Sequence, residues 1–366
     1  MKEGETIVVE TQERVPLKVG VGKYFFGNGC ITELSKEILR FGGRPLVIGG
    51  VSSTELILNK CKSEWDRYGI NTNIIKHNGE CSINWAKKYT EYGKKSKSTV
   101  VVGIGGGKCI DLAKAVATLG NWSIITVPTS AATCVATSAV CVMYDDEGRT
   151  DCSIPMNQEV DVAIADTEII AAAPRRTLAA GIMDSIAKLV EVKHKLNIVS
   201  YRDCNLKQYI GYINSKGIYE FLINEGKQAY EGDYPAERYT DLIMTNLLHT
   251  SIVSGFCSGS SQMALAHALY DSLRKWFVED TRAYMHGELV AIGILLQMYF
   301  NRDSDSEIEK IKKLMKSMNM PMRLTESGFK DTEENRKILI NSIEKITNMD
   351  DEKDKSMLIQ LLPLII

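Results

Sequence analysis

The chain has 366 residues, with 44 Lys and Arg against 46 Asp and Glu, a formal net charge of −2. This length can build two sizeable cores, and the charge balance leaves no basic footprint for nucleic acid or for an anionic membrane surface. Nine cysteines, an odd number with no CxxC pair, point to reduced thiols in a cytoplasmic protein and away from a disulfide framework or a cysteine zinc site.

The N-terminus, MKEGETIVVE, carries Glu3 and Glu5 and lacks the apolar core of a signal peptide. Short β-rich runs then alternate with helical patterns. The strand candidates are Thr6–Val9, Lys18–Val21, Pro45–Ile48, Thr72–Lys76, Thr99–Ile104, Ser123–Val127 and Val162–Ala165, and the helical patterns fall near 30–40, 53–67, 82–96 and 108–119. Such alternation predicts a mostly parallel sheet covered by helices. Val140–Tyr144 and Arg149–Ile154 flank an acidic turn at Gly148 and read as a β-hairpin. After Asp166 strand signals nearly vanish, and helical periodicity runs from Thr177 to the C-terminus. Pro174 opens that half, and no apolar run approaches membrane-spanning length. The expected organisation is an α/β nucleotide-binding domain over residues 1–170 and an all-helical domain over 171–366. A small-molecule site belongs in the cleft between them.

One stretch organises the first half. Thr99–Ala117 reads TVVVGIGGGKCIDLAKAVA, a strand, a glycine turn and a helix start. Free N–H groups and a positive dipole at such a helix start favour a phosphate, and the natural ligand is a nucleotide. The Walker A pattern fails, because Val102 and Cys109 stand where it needs Gly and Ser or Thr. The dinucleotide fingerprint obtains Gly103 and Gly105, but Lys108 replaces its third glycine. Further on, Pro128 ends a strand and Thr129, Ser130 and Thr133 follow at once. Ligands of open α/β sheets lie at such carboxyl ends, so Thr129 and Thr133 are candidates for phosphate or nicotinamide; a hydroxyl-rich turn is the equally plain alternative.

The helical half offers three isolated polar groups in apolar surroundings. Asp184 lies between Met183 and Ile186, where a carboxylate is costly without a partner. An i,i+4 pair with Lys188 would satisfy it, and so would a metal ion. His267 sits in MALAHALYD and His286 in AYMHGELVAIG. Singly, each reads more often as a satisfied core histidine than as a ligand. Together with Asp184 they form a chemically sound three-ligand set, although histidines 19 positions apart make no local metal motif. His77, His194 and His249 have no such context.

Gly105–Lys114, of the form GGGKxxDxAK, resembles the iron-containing alcohol dehydrogenase superfamily, especially its branch around glycerol dehydrogenase. Ala180–Lys188, Ala264–Leu273 and His286–Gly293 match that branch's segments in the same order. Gly79–Ser82 and Asp161–Thr167 are similar to its GECS and DLVLVDT. The resemblance implies the dehydroquinate synthase-like fold and an NAD(P)-dependent oxidoreductase that exchanges a small alcohol or 2-hydroxy acid with its carbonyl compound. It implies coenzyme contacts at Gly106, Gly107, Lys108, Asp111, Thr129, Ser138, Val140 and Tyr144. It further implies one divalent ion, zinc or iron, on Asp184, His267 and His286, and a homo-oligomer.

Three departures bear on function. Where glycerol dehydrogenases carry ASTD, this chain has Ala131-Ala132-Thr133-Cys134. Cys134 is a poor acceptor for substrate hydroxyls, and losing a carboxylate removes repulsion against an anionic substrate. This AATC form is similar to the hydroxycarboxylate dehydrogenases of the branch. After the strand at Pro45–Gly49, where NAD users of the family place an Asp, this chain has Gly50-Val51-Ser52-Ser53, which admits NADP. Tyr270 stands where the branch often has another histidine, and Ser261-Gln262 replace a glycine pair, so the proton donor is not legible. Glycerol oxidation with NAD is the alternative activity. A lyase of the dehydroquinate synthase kind and a non-catalytic nucleotide-binding protein are the more distant ones, disfavoured by Asp184 with AATC and by the intact Asp–His–His set respectively.

Overall fold

The β-branched runs of the first half become the inner strands of one sheet. The protein is seen here as a computed structural model describing residues 17–193, 198, 200–232, 234–257 and 264–366. The Thr6–Val9 strand, His194 and Ser261-Gln262 lie outside these. The strands are β1 (Val21–Gly27), β2 (Pro45–Gly50), β3 (Asn73–His77), β4 (Val100–Gly105), β5 (Ser123–Pro128), β6 (Val140–Tyr144), β7 (Thr150–Pro155) and β8 (Val160–Asp166). Six of them form a sheet in the order β1-β8-β5-β4-β2-β3, with every pairing parallel. β6 and β7 make the expected antiparallel hairpin, closed by Asp145 N–H on Arg149 O and Gly148 N–H on Asp145 O.

The strand expected at Lys18–Val21 starts later. Its parallel register begins at Val21 opposite Val160, the first residue of β8, so Lys18 to Gly20 have no partner strand. Lys18 instead extends its ammonium to the Met156 carbonyl.

Helices α1 (Glu33–Arg40), α2 (Val51–Tyr68), α3 (Ile83–Lys95) and α4 (Gly107–Gly120) fall where the periodicity placed them. No strand follows Asp166 among the described residues. The chain continues as α5 (Thr167–Ala171), α6 (Arg175–Val192), α7 (Leu206–Glu231), α8 (Ala236–Met244), α9 (Thr250–Cys257), α10 (Leu265–Trp276), α11 (Val278–Thr281), α12 (His286–Asn301), α13 (Asp305–Ser317), α14 (Glu333–Thr347) and α15 (Glu352–Leu361). A π-helical turn, Thr245–His249, joins α8 to α9. No described helix is long and apolar enough to cross a membrane.

Burial explains the layers. β4 is buried along its whole length and β2 along five of six residues, as strands covered on both faces must be. One core packs Leu46, Val101, Leu112 and Val116 on one side of the sheet, and another packs Ile38, Ile57, Trp65 and Val102 on the other. The helices after α5 enclose a separate core containing Ile182, Ile186, Leu269, Leu289 and Ile292. A small cluster of Ala131, Ala165, Ile170, Ile243 and Leu247 lies between them.

Glu37 ties β1 to α1. Its buried carboxylate accepts from Lys23 at 2.7 Å and pairs with Arg40. Burial alone would raise its pKa, but the two cations hold it below the usual glutamate value. A depressed carboxylate adds stability that is fully present above the unfolded pKa and is lost as pH falls through the folded one. Glu37→Gln should therefore lower stability at neutral pH and shrink its decline on acidification, as read by denaturant melts between pH 3 and 7.

Candidate metal centre and coenzyme cleft

The sheet changes direction between β2 and β4, since β3 lies on one side of β2 and β4 on the other. Nucleotides bind at such switch points, outside the carboxyl ends of the strands. Here those ends are Gly50 and Gly105. Gly105 adopts φ 133, a left-handed conformation that glycine takes without strain. The chain then turns through Gly106, the N-cap, into the 14-residue helix α4. The free N–H groups of that helix start point toward the mouth of the switch point.

Most of the residues implied as coenzyme contacts gather here. Thr129 donates its N–H to Gly105 O at 3.1 Å, which lays the loop after β5 beside the glycine turn. A Cβ on Gly107 would lie 3.2 Å from the Thr133 methyl, so the AATC segment packs against the start of α4. Lys108 pairs with Glu80 and extends over the Tyr144 ring at 5.0 Å. Val140 and Ser138 turn their carbonyls to Lys114 Nζ, which also takes Val135 O at 2.8 Å.

Asp111 is the exception. It is 3% exposed, takes the Val142 N–H and forms an ion pair with Lys114 at 2.8 Å. Three residues before Lys114 on α4, its carboxylate turns inward and, through that lysine, supports the 135–140 segment.

Across the cleft, three helices deliver the expected ligand set. Asp184 sits on α6, His267 near the start of α10 and His286 at the first position of α12. One donor atom from each lies within 4.8 Å of the others. His267 Nε2 is 3.3 Å from Asp184 Oδ1, and His286 Nε2 is 3.4 Å from the same oxygen. Burial alone would raise the Asp184 carboxyl; Lys188 and the two imidazoles hold it well below the carboxylate range.

Close packing brings the ligands together. A Cβ on Gly287 would stand 1.9 Å from Ala180 O, and one on Gly181 would stand 1.8 Å from Ala131 O. Glycine at these positions lets α12 close on α6, and α6 close on the AATC loop. The start of α12 is fixed further by Glu288, which accepts the Met285 N–H at 2.7 Å and is held by the Arg176 guanidinium, one contact of which is 2.6 Å.

Glu191 was not legible as a site residue from sequence. It accepts from the His267 backbone N–H at 2.9 Å and lies 2.8 Å from His267 Nδ1. This directs the proton to Nδ1 and leaves the Nε2 lone pair facing Asp184 and His286. The available signal was the polar series Asp184, Lys188, Glu191, at i, i+4 and i+7 on an otherwise apolar helix. His77 and His249, by contrast, are satisfied by Tyr89 OH at 3.0 Å and Asn214 Oδ1 at 2.9 Å.

The donor set fits a divalent ion. One buried carboxylate and two imidazole nitrogens converge, one imidazole has its tautomer set by a carboxylate, and further coordination positions remain for substrate and water. Glu191→Gln should keep the fold but reduce metal affinity by about 10- to 100-fold, measured by competition with a chelator.

A parallel sheet with a glycine turn at its switch point, facing a three-ligand set on helices, fits a metal-dependent dehydrogenase that uses a nicotinamide dinucleotide. The comparisons agree. The pattern of the iron-containing alcohol dehydrogenase family matches residues 22–167. The glycerol dehydrogenase of Thermotoga maritima is 31% identical over 313 residues, 84% of each chain. Hydroxycarboxylate dehydrogenase A of Escherichia coli is 29% identical over 226 residues, 61% of each chain. The solved structure of glycerol dehydrogenase from Schizosaccharomyces pombe superposes with a TM-score of 0.80 at 22% identity, over 97% of this chain and 91% of that one. The chain belongs to the iron-containing alcohol dehydrogenase family, in its glycerol dehydrogenase-like branch. It is a metal-dependent, NAD-linked oxidoreductase that acts on CH–OH groups of a small-molecule alcohol or on the corresponding carbonyl.

Proposed function

We propose that this enzyme interconverts a small 2-hydroxy acid and its 2-oxo acid, preferring NADP(H). The observation that carries the substrate class is Cys134. It lies at the cleft end of the AATC loop, and burial pushes its thiol up to about 11, so the loop presents a neutral group where a polyol would need an acceptor. Preference for the extra phosphate rests on the carboxyl end of β2. No acidic residue stands between Gly49 and Ser53, and a Cβ built on Gly105 would lie 3.1 Å from Ser53 Oγ. The Ser53 hydroxyl is therefore at the switch point, with no carboxylate beside it in that turn to repel a phosphate.

In this reading Asp184, His267 and His286 hold the ion, zinc or iron, in a helical domain over 171–366. Gly106, Gly107, Lys108, Thr129, Thr133, Ser138, Val140 and Tyr144 line the coenzyme side in a domain over 1–170. When bound, the ion supplies Lewis acidity toward the substrate oxygen. Glu191 keeps His267 in the ligating tautomer. The helix start of α4 would hold the pyrophosphate, and the segment from Thr129 to Val140 would line the nicotinamide end. The second reading, glycerol oxidation with NAD, is favoured by the T. maritima relative named above.

Coenzyme oxidation separates the two. The metal-loaded enzyme should reduce small 2-oxo acids with NADPH faster than dihydroxyacetone with NADH. Turnover confined to dihydroxyacetone with NADH would favour the second reading and remove the weight placed on Cys134 and Ser53.

A further inference from the structure

We infer that Lys188 is the specificity-determining residue of this cleft, and that its ammonium receives the carboxylate of an anionic substrate whose carbonyl lies at the Asp184–His267–His286 centre. The inference rests on the 2-oxo acid reading above and names the residue that would make it work.

Lys188 lies one helical turn beyond Asp184 on α6, on the same face. Its Nζ is 3.8 Å from Asp184 Oδ1 and 3.4 Å from His267 Nε2. The side chain is only 16% exposed. Burying an ammonium is costly unless a partner meets it; its ion-pair partner is Asp184, through a long 3.8 Å contact to an oxygen that also faces both imidazoles. Glu191 is committed to both the ring and the backbone N–H of His267. Asp184 is the one anionic member of the metal-ligating triad, so its charge is shared once an ion is held.

The charges can be counted. Asp184 and Glu191 contribute two negative charges and a divalent ion two positive ones. Within this set of groups Lys188 is one positive charge in excess. Asp271, half-buried on α10 one turn beyond His267, lies near the histidines and stands outside this count. On the opposite wall, Cys134 is close enough to Lys188 for the two to perturb each other's ionisation, yet its thiol carries no charge. An aspartate at that position would neutralise Lys188 from within the protein. The cysteine leaves the ammonium for the ligand.

A small acid whose carboxylate and carbonyl are on adjacent carbons matches this spacing. One group reaches the ligand triad and the other an ammonium within 4 Å of two of the triad's donor atoms. A neutral ketone or aldehyde of the same size gains nothing from Lys188.

The test uses the metal- and NADP-loaded enzyme, with oxamate as an inert carboxylate probe in titration calorimetry. Lys188→Gln should weaken oxamate by about 30-fold, the range expected for one charge-assisted hydrogen bond. Lys188→Arg should recover part of that loss. In turnover, Lys188→Gln should raise KM for 2-oxo acids by a similar factor and leave KM for hydroxyacetone nearly unchanged. Metal content, measured in parallel, should not fall. Equal oxamate affinity in wild type and Lys188→Gln, or no binding to wild type, would overturn the inference. So would a matching loss toward hydroxyacetone, which would place Lys188 in the support of the ligand triad. The substrate reading is judged separately, by whether the wild type turns over 2-oxo acids at all. Oxamate binding decides the role of Lys188 in either case.

Discussion

His267→Ala should abolish turnover while leaving the protein folded. The ring contributes one of three converging donor atoms. Its Nε2 faces Asp184 at 3.3 Å and its Nδ1 is held by Glu191. Removing it leaves two ligands and strands Glu191 in a buried place without its partner. Loss of Lewis-acid stabilisation worth several kcal/mol corresponds to about a thousandfold or more in kcat. Metal retained after gel filtration should fall in step, whereas the circular dichroism spectrum should match wild type. His267 is also partly exposed, with 24% of its side chain open to the cleft, so truncation removes little packing. If the variant kept full turnover, the ligand assignment would be wrong.

Gly287→Ala should have the largest effect on stability. Its new methyl would stand 1.9 Å from Ala180 O, a backbone atom on a neighbouring helix. A side chain can rotate away from such a clash, but a carbonyl inside α6 moves only with the helix. The contact lies where α12 meets α6, between residues that carry His286 and Asp184. We expect a loss of at least about 3 kcal/mol, or failure to accumulate as soluble protein. Equilibrium denaturation would read the first outcome and expression with a solubility assay the second. Gly181→Ala meets Ala131 O at 1.8 Å and should behave alike. A stable Gly287→Ala protein with bound metal would show that the two helices can separate without cost.

These cases show what the sequence made legible. The strand–glycine–helix stretch at Thr99–Ala117 was plain because its signals are local: β-branched residues, a glycine run and an apolar helical face. The hairpin at Val140–Ile154 was plain for the same reason. Asp184, His267 and His286 could not be joined by spacing, since three helices separate in sequence bring them together; the resemblance to the family supplied that link. Glu191 and Lys188 were present as a polar stripe on α6, but a stripe alone does not reveal what it faces. Asp111 illustrates the opposite case. A family motif marks the position, whereas the local i+3 geometry ties its carboxylate to Lys114 and turns it inward. The onset of β1 depended on where β8 begins, a long-range fact with no local trace.

Segment 131–140 has a further consequence. On one side it is tied to the sheet region, through Thr126 Oγ1 on Ala136 O at 2.7 Å and Lys114 on Val135 O at 2.8 Å. On the other it is tied to the helices, through Asn246 Nδ2 on Ala131 O at 3.2 Å and Thr137 Oγ1 on Leu247 O at 2.6 Å. Melting either half would orphan buried polar groups in the other. The two cores are thus coupled through this segment, since loss of either one exposes buried polar groups of the other. The loop that would hold nicotinamide and substrate is also the joint between the two halves.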